Sequence, residues 1–77
     1  MTDYVKIGRN VKRYRHWNEL TQEQLAELIG VSTSFVGHIE RGSRKMSIDT
    51  LCAICRVLGV SSDKILDLDS DKEQPRG

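Results

Sequence analysis

Two groups of residues in this 77-residue sequence are of types that can carry chemistry. The first is the pair Cys52 and Cys55, whose Cys-x-x-Cys spacing occurs in zinc sites and in redox-active thiols. The second is a polar stretch from Thr33 to Lys45, which is rich in hydroxyl, imidazole and guanidinium groups. Side chains of that kind bind phosphates and the edges of nucleic-acid bases. The two groups indicate different functions, so each must be placed on an element of structure.

Helix packing explains the cysteine pair better than metal or redox chemistry does. A structural zinc site needs four ligands, but the sequence has no second cysteine pair, and His16 and His38 are distant from the first. A thioredoxin-like motif would need flanking strands. Helical spacing instead places Cys55 toward a core and Cys52 at its edge. Since the sequence also lacks a phosphate-binding loop and a Ser-His-Asp order, we expect no metal, no cofactor and no enzymatic activity.

Apolar residues recur at helical spacing along the chain, and no pattern predicts a strand or a hairpin. Ile7, Val11 and Tyr14 follow one another at intervals of four and three residues. They predict the buried face of a first helix from about Tyr4 to Trp17. We expect Trp17 to lie half-buried at the edge of that face.

Two short helices with a tight turn between them are predicted next. Thr21 and Gln24 form a capping box at the start of the second helix, and Gly30 is suited to end it. Ser32 is the expected N-cap of a third helix, which ends near Arg41. A turn of about three residues that includes a glycine therefore joins the two helices. This is the general form of a helix-turn-helix.

Two more helices and a tail complete the predicted organisation. Ser47 is suited to cap a fourth helix that ends at Gly59. The expected apolar stripe of that helix comprises Ile48, Leu51, Ile54, Cys55 and Leu58. A short fifth helix follows, in which Ile65 and Leu66 close the core. Residues 67–77 have too little apolar surface to fold, so we predict one domain over residues 1–66 and a disordered polar tail.

Charge and composition narrow the class of protein. The net charge is only +1, but residues 1–45 carry eight basic and five acidic side chains, whereas residues 46–77 carry four and six. This asymmetry fits a basic binding face, and it fits an ordinary solvated surface equally well. No apolar run approaches the roughly 20 residues of a membrane helix, and no secretion signal is recognisable. With unpaired cysteines, these features favour a cytoplasmic location.

The segment TQEQLAELIGVSTSFVGHIERG, residues 21–42, resembles the phage-repressor and Cro-type (XRE) helix-turn-helix family. The stretches IGRNVKRYR and SIDTLCAICRVLGVSSDKIL fit the same family, so the resemblance extends from about Lys6 to Leu66. It implies an all-α fold, a compact five-helix lambda-repressor-like domain in which helices 2 and 3 form the helix-turn-helix. It also implies a DNA-binding transcriptional regulator that inserts the helix at about residues 33–40 into the major groove.

The resemblance carries a set of expected contacts, residue by residue. Base edges are expected to meet Thr33, Ser34, Gly37 and His38. Phosphates are expected to meet Gln22 and the loop after the third helix, at Arg41, Ser43, Arg44 and Lys45. Arg15 and Glu40 are implied to form a structural ion pair. Many family members carry Gln, Arg or Asn among the base-contacting positions, where each bidentate pair contributes roughly 1–3 kcal/mol of discrimination. The short hydroxyls here are expected to contribute less.

Two functions remain open on the sequence alone. The favoured one is a sequence-specific regulator of transcription, expected to be a repressor, that binds palindromic double-stranded DNA as a homodimer. A dimer is expected because one such domain buries only about 600–1,000 Å² on DNA. Leu66, Leu68 and the end of the fourth helix are expected to form its two-fold contact, although they could instead close the monomer core. The alternative is a protein-interaction module or antitoxin-like partner, which the near-neutral charge and the weak base-contacting set favour.

Overall fold

A computed structural model of the protein describes residues 2–67, and all regular structure in that range is helical. The helices are α1 (Tyr4–Trp17), α2 (Gln22–Ile29), α3 (Thr33–Arg41), α4 (Ile48–Leu58) and α5 (Ser62–Leu66). This confirms the predicted all-α class and the five-helix order. The tail predicted from residue 67 onward lies, apart from its first residue, outside the described residues. Over the described range, no helix has both the length and the apolar character needed to cross a membrane.

Local capping interactions fix where α2 and α3 begin. At Thr21 the hydroxyl accepts from the backbone N–H of Gln24 at 3.0 Å, and Gln24 Oε1 accepts from the backbone N–H of Thr21 at 2.8 Å. The Ser32 hydroxyl accepts from the backbone N–H of Phe35 at 3.1 Å. Between the two helices, Gly30 has φ = 78°, a left-handed conformation that costs glycine little. The chain can therefore turn sharply after a helix of only eight residues.

All five helices contribute to one core. Its buried apolar side chains are Ile7, Val11, Leu25, Ala26, Val36, Ile39, Leu51, Ile54, Leu58 and Ile65. The Val36 and Ile39 side chains fix the inner face of α3 within this core. Because α3 is only nine residues long, its stability depends on that packing rather than on intrinsic helix propensity.

Two expectations about burial were wrong. Trp17 is 81% exposed rather than half-buried, and it is the last residue of α1. Ile48 is 73% exposed although its spacing matches the apolar stripe of α4. It is the first residue of that helix, which reaches the core one turn later at Leu51. Cys55 is half-buried and Cys52 is exposed.

The backbones of α1 and α3 meet at Gly8. A Cβ atom at this position would lie 2.6 Å from the carbonyl oxygen of Glu40 and closer still to that of Ile39. Those contacts involve backbone atoms, which cannot move aside as a flexible side chain can. The absence of a side chain at Gly8 therefore sets how closely α1 approaches the C-terminal half of α3.

Candidate nucleic-acid interface

The two sides of α3 differ in character. Val36, Ile39 and Glu40 are buried on its inner side, whereas Thr33 and Ser34 are exposed in its first turn. His38 is half-buried on the outer side, one turn further along. The inner side is anchored by apolar contacts and by the charge of Glu40. The outer side consequently presents hydroxyl and imidazole groups on a helix whose orientation is fixed.

Arg15 and Glu40 form a buried ion pair that anchors the end of α3. The Arg15 Nε and Nη2 atoms donate to Glu40 Oε2 and Oε1 at 2.5 and 3.0 Å, and only 7% and 3% of the two side chains are exposed. A third donor, Arg15 Nη1, bonds to the carbonyl oxygen of Leu20 at 2.7 Å. The guanidinium therefore ties α1, the loop before α2 and the end of α3 together.

Gln22 belongs to the same network. Its Nε2 atom donates to Glu40 Oε1 at 2.9 Å, so that this oxygen accepts from both Arg15 and Gln22. The Gln22 side chain is half-buried in the first turn of α2. The hydrogen bond fixes the direction of its amide beside α3. Contact between Gln22 and a phosphate stays a prediction.

A polar cluster covers the C-terminal end of α3. The Ser43 hydroxyl donates to the His38 carbonyl oxygen at 3.2 Å, and its oxygen lies 3.0 Å from His38 Nδ1, from which it can accept. Arg41 Nη2 lies 3.4 Å from the same ring nitrogen. The loop residue Ser43 is thus bonded to the helix at two points, and the base-contacting candidate His38 is positioned by it.

Gly37 is buried even though it lies outside the apolar core. The residue over it is Arg41, whose Nη1, Nη2 and Cζ atoms lie 3.1, 3.6 and 3.7 Å from the position of a Cβ at Gly37. The guanidinium therefore occupies the space that a side chain at Gly37 would fill. Sequence reasoning placed Arg41 among the phosphate contacts of the loop and did not foresee this arrangement.

The loop after α3 is exposed and basic. Arg41, Ser43, Arg44 and Lys45 all lie at the surface. Within residues 2–67, the ion pairs join Lys6 to Asp67 and Arg15 to Glu40, so no carboxylate of that range neutralises the loop cations at salt-bridge distance. The loop adjoins the outer side of α3 and can contribute positive charge to a ligand held there.

Cys55 has the properties of an ordinary packing residue, whereas Cys52 is exposed. Burial, and to a smaller extent the neighbouring Cys52, raises the pKa of the Cys55 thiol above its ordinary value. Reactive thiols have lowered pKa values instead. Among the described residues, no three His, Cys, Asp or Glu side chains come together as metal ligands.

Sequence reasoning missed Asn10. This residue is buried in α1, where its Nδ2 atom donates to the carbonyl oxygen of Ile65 at 2.9 Å and so joins α1 to α5. A signal was available, because an asparagine beside the core residue Val11 needs a hydrogen-bond partner when it is buried. The identity of that partner depends on how α5 folds back.

Both the sequence and the fold of this chain match known helix-turn-helix proteins. The helix-turn-helix domain family model matches residues 6–68. Control protein C.SmaI of Serratia marcescens is 38% identical over 60 residues, 78% of this chain and 71% of the relative. The immunity repressor of Bacillus phage phi105 is 37% identical over 62 residues, 80% of this chain but only 43% of the repressor. The crystal structure of the restriction-modification controller protein C.AhdI from Aeromonas hydrophila has a TM-score of 0.78 at 32% identity, covering 84% of this chain and 98% of that chain.

Proposed function

This chain belongs to the helix-turn-helix family as a DNA-binding transcriptional regulator, and from that membership we propose that α3 reads a specific operator in the major groove. The major groove of B-DNA admits an α-helix, and each base pair there presents a distinct pattern of donors and acceptors. The phage repressors are the standard example of this docking geometry, in which the N-terminal residues of the second helix contact base edges. In this chain those residues are Thr33 and Ser34.

The observation that carries the proposal is the contrast between the two sides of α3. Its inner side is held by buried apolar residues and by the Arg15–Glu40 ion pair, so its outer side is presented in one fixed orientation. The exposed Thr33 and Ser34 hydroxyls can each donate or accept a hydrogen bond. The half-buried His38 extends this polar side by one further turn. Fixed geometry is what base-edge recognition requires, since a hydrogen bond weakens steeply when it is misaligned.

Phosphate contacts on both sides of α3 would supply affinity and register. Ser43, Arg44 and Lys45 are exposed after the helix. The charged side chains of Arg44 and Lys45 can bind phosphates and thereby release counterions from the DNA. Gln22 stands at the N-terminus of α2, where backbone donors and the helix dipole favour an anion. Its bond to Glu40 directs the amide alongside α3.

We also propose that the protein acts as a homodimer on a palindromic operator and represses transcription. A single domain of this size contacts one half-site, and dimers bind two half-sites about one helical turn apart. Leu66 is half-buried beside the fully buried Ile65 and so keeps apolar surface for a second copy. The partner candidate Leu68 lies outside the described residues. Repression is supported by the similarity to a phage immunity repressor.

The proposed function is tested by fluorescence anisotropy with duplexes selected from a random pool. We expect one selected duplex to bind far more tightly than random duplex, with affinity that falls as salt rises. The double variant Thr33→Ala, Ser34→Ala should lose a measurable part of that preference but keep its binding to random duplex. Asp49→Ala, an exposed change on α4, is the control and should behave as the unmodified protein.

Two outcomes would contradict the proposal. A folded protein that prefers no duplex would exclude sequence reading and favour the protein-interaction alternative. A preference unchanged in the Thr33, Ser34 double variant would place the base contacts elsewhere. The dimer is tested separately by light scattering of the unmodified protein and of Leu66→Glu, and a monomer at all concentrations and on operator DNA would exclude it.

A further inference from the structure

On the outer side of α3, the side chain of Arg41 covers Gly37. Gly37 has no side chain, yet it is buried, and the guanidinium of Arg41 is the group that lies against it. An α-helix repeats every 3.6 residues, so Arg41 lies one turn after Gly37 on the same face. Side chains on a helix point toward its N-terminus. The long side chain of Arg41 accordingly extends back along α3, toward the end that carries Ser34.

The guanidinium of Arg41 has donors to spare. Its nearest polar neighbour among the described residues is His38 Nδ1, 3.4 Å from Nη2, which is longer than an ordinary N–H hydrogen bond. Because the Ser43 hydroxyl donates to the His38 carbonyl oxygen, Nδ1 donates to that hydroxyl and does not accept from Arg41. Arg15, by comparison, donates a hydrogen bond from each of its three guanidinium nitrogens. A guanidinium carries five N–H groups, so most of those of Arg41 are available to a ligand on the outer side of α3.

The His38 imidazole lies beside the Arg41 guanidinium at the end of α3. Ser43 bonds to the His38 ring and to its carbonyl oxygen, which positions the imidazole next to Arg41. The ring and the guanidinium then form a continuous polar surface from Gly37 to His38. A bulkier residue at position 37 would displace this arrangement, because a Cβ there already comes within 3.1 Å of Nη1.

We propose that Arg41, seated on Gly37, is a specificity-determining residue that reads a guanine in the major groove. The O6 and N7 atoms of guanine are both acceptors, and a guanidinium binds them in a bidentate manner. Arg41 thereby supplies the strong base contact that Thr33 and Ser34 lack, and Gly37 contributes the space that makes it possible. This assignment rests on the proposed function, since it requires α3 to enter the groove. The competing role for Arg41 is a contact with a phosphate, which would carry no sequence information.

The test compares Arg41→Lys with the unmodified protein on a panel of duplexes in which each operator base pair is replaced in turn. Lysine keeps the charge but lacks the planar fork that binds two base atoms. We expect discrimination at a single G·C pair to fall by about five- to a hundredfold, the range of one bidentate contact. Binding to random duplex and its salt dependence should stay close to those of the unmodified protein. Arg44→Lys changes an exposed arginine of the loop that follows α3. It is the matched control and should alter discrimination at no single base pair.

A second variant tests whether the packing of Arg41 against Gly37 matters, while Arg41 itself is unchanged. Gly37→Leu fills the space under the guanidinium, so discrimination at the same G·C pair should fall although Arg41 is unchanged. Circular dichroism establishes that the variant is folded. An equal loss of affinity for all duplexes in Gly37→Leu would argue against a role for this packing in base discrimination.

The outcomes separate this inference from the function on which it rests. If the unmodified protein selects an operator and Arg41→Lys changes discrimination at no single base pair, whether or not overall affinity falls, Arg41 does not read a base and the assignment is overturned while the function stands. If the unmodified protein selects no duplex at all, the proposed function and the assignment are overturned together.

Discussion

The Arg15 guanidinium and the Glu40 carboxylate meet in two hydrogen bonds beneath the helix pair, although the two residues are 25 positions apart. Both charges are almost completely removed from water. A buried pair of this kind contributes little net stability, because desolvation offsets most of the attraction. Its consequence is geometric, since the end of α3 can occupy only the position in which Glu40 reaches Arg15 and Gln22.

Removal of one partner of this pair should be far more damaging than removal of both. Glu40→Ala leaves the Arg15 charge buried without its counterion, and we expect the free energy of unfolding to fall by about 3–5 kcal/mol. The double variant Arg15→Met, Glu40→Leu replaces the pair with apolar groups and should lose less stability than Glu40→Ala. Urea denaturation followed by circular dichroism measures the stability of the unmodified protein and of the two variants. A loss under about 1 kcal/mol in Glu40→Ala would show that water reaches the pair.

Two glycines on helices should respond to alanine in opposite directions. At Gly8 a Cβ meets the backbone carbonyls of α3, so Gly8→Ala must separate α1 from α3 and should cost about 1–3 kcal/mol. At Gly37 the Cβ meets only the flexible end of Arg41, so Gly37→Ala should gain up to about 1 kcal/mol from helix propensity. Thermal melting of the two variants shows whether each substitution raises or lowers the melting temperature. A stabilised Gly8→Ala would contradict the close approach of α1 and α3.

The helix boundaries that were predicted correctly depend on interactions between residues close together in the sequence. The Thr21–Gln24 capping box and the Gly30 stop depend on residues within one turn of each other, so their position along the chain was sufficient. Periodicity failed at Trp17 and Ile48, because it identifies a face of a helix and not how far the neighbouring helices extend along it. Both errors lie at the end of a helix, where a regular stripe continues past the core.

The candidate site was predictable only in part. A resemblance to known regulators identified the residues of α3 and its loop, but the contacts between them depend on side-chain direction. The position of Arg41 over Gly37 follows from a helix that continues through residue 41 before the chain turns at Gly42. The sequence gives both residue types without showing that one occupies the space left by the other.

The hydrogen bond from Asn10 to the Ile65 carbonyl should be a main attachment of α5. Asn10→Ala removes a buried donor and leaves that carbonyl oxygen unsatisfied, which costs about 1–3 kcal/mol. The matched control is Asn18→Ala. Asn18 also donates to a distant carbonyl, that of Leu58 at 3.1 Å, but water can replace its exposed amide. Urea denaturation should therefore show a clearly smaller loss for Asn18→Ala. Equal losses would mean that burial does not distinguish the two bonds.

Cys52 and Cys55 should differ in their reactivity toward iodoacetamide. The thiolate is the nucleophile, and burial together with Cys52 raises the pKa of the Cys55 thiol. At neutral pH Cys55 therefore holds less thiolate than an ordinary cysteine, and it is half-buried, whereas Cys52 is exposed. Mass spectrometry of the folded protein should show one carbamidomethyl group first, at Cys52. In urea the two cysteines should react at similar rates.

The raised pKa of Cys55 also fixes the sign of a pH effect on stability. A thiol whose pKa is higher in the folded state than in the unfolded chain favours folding while it is protonated. That contribution is complete below the unfolded pKa and is lost as pH rises through the folded pKa, so alkaline conditions should destabilise the protein. In Cys55→Ala the alkaline loss should be smaller than in the unmodified protein, while Cys52→Ala, which removes the secondary cause of the shift, should retain most of it. Urea midpoints at neutral and at alkaline pH measure the difference, and identical alkaline losses in Cys55→Ala and the unmodified protein would assign the effect to other groups.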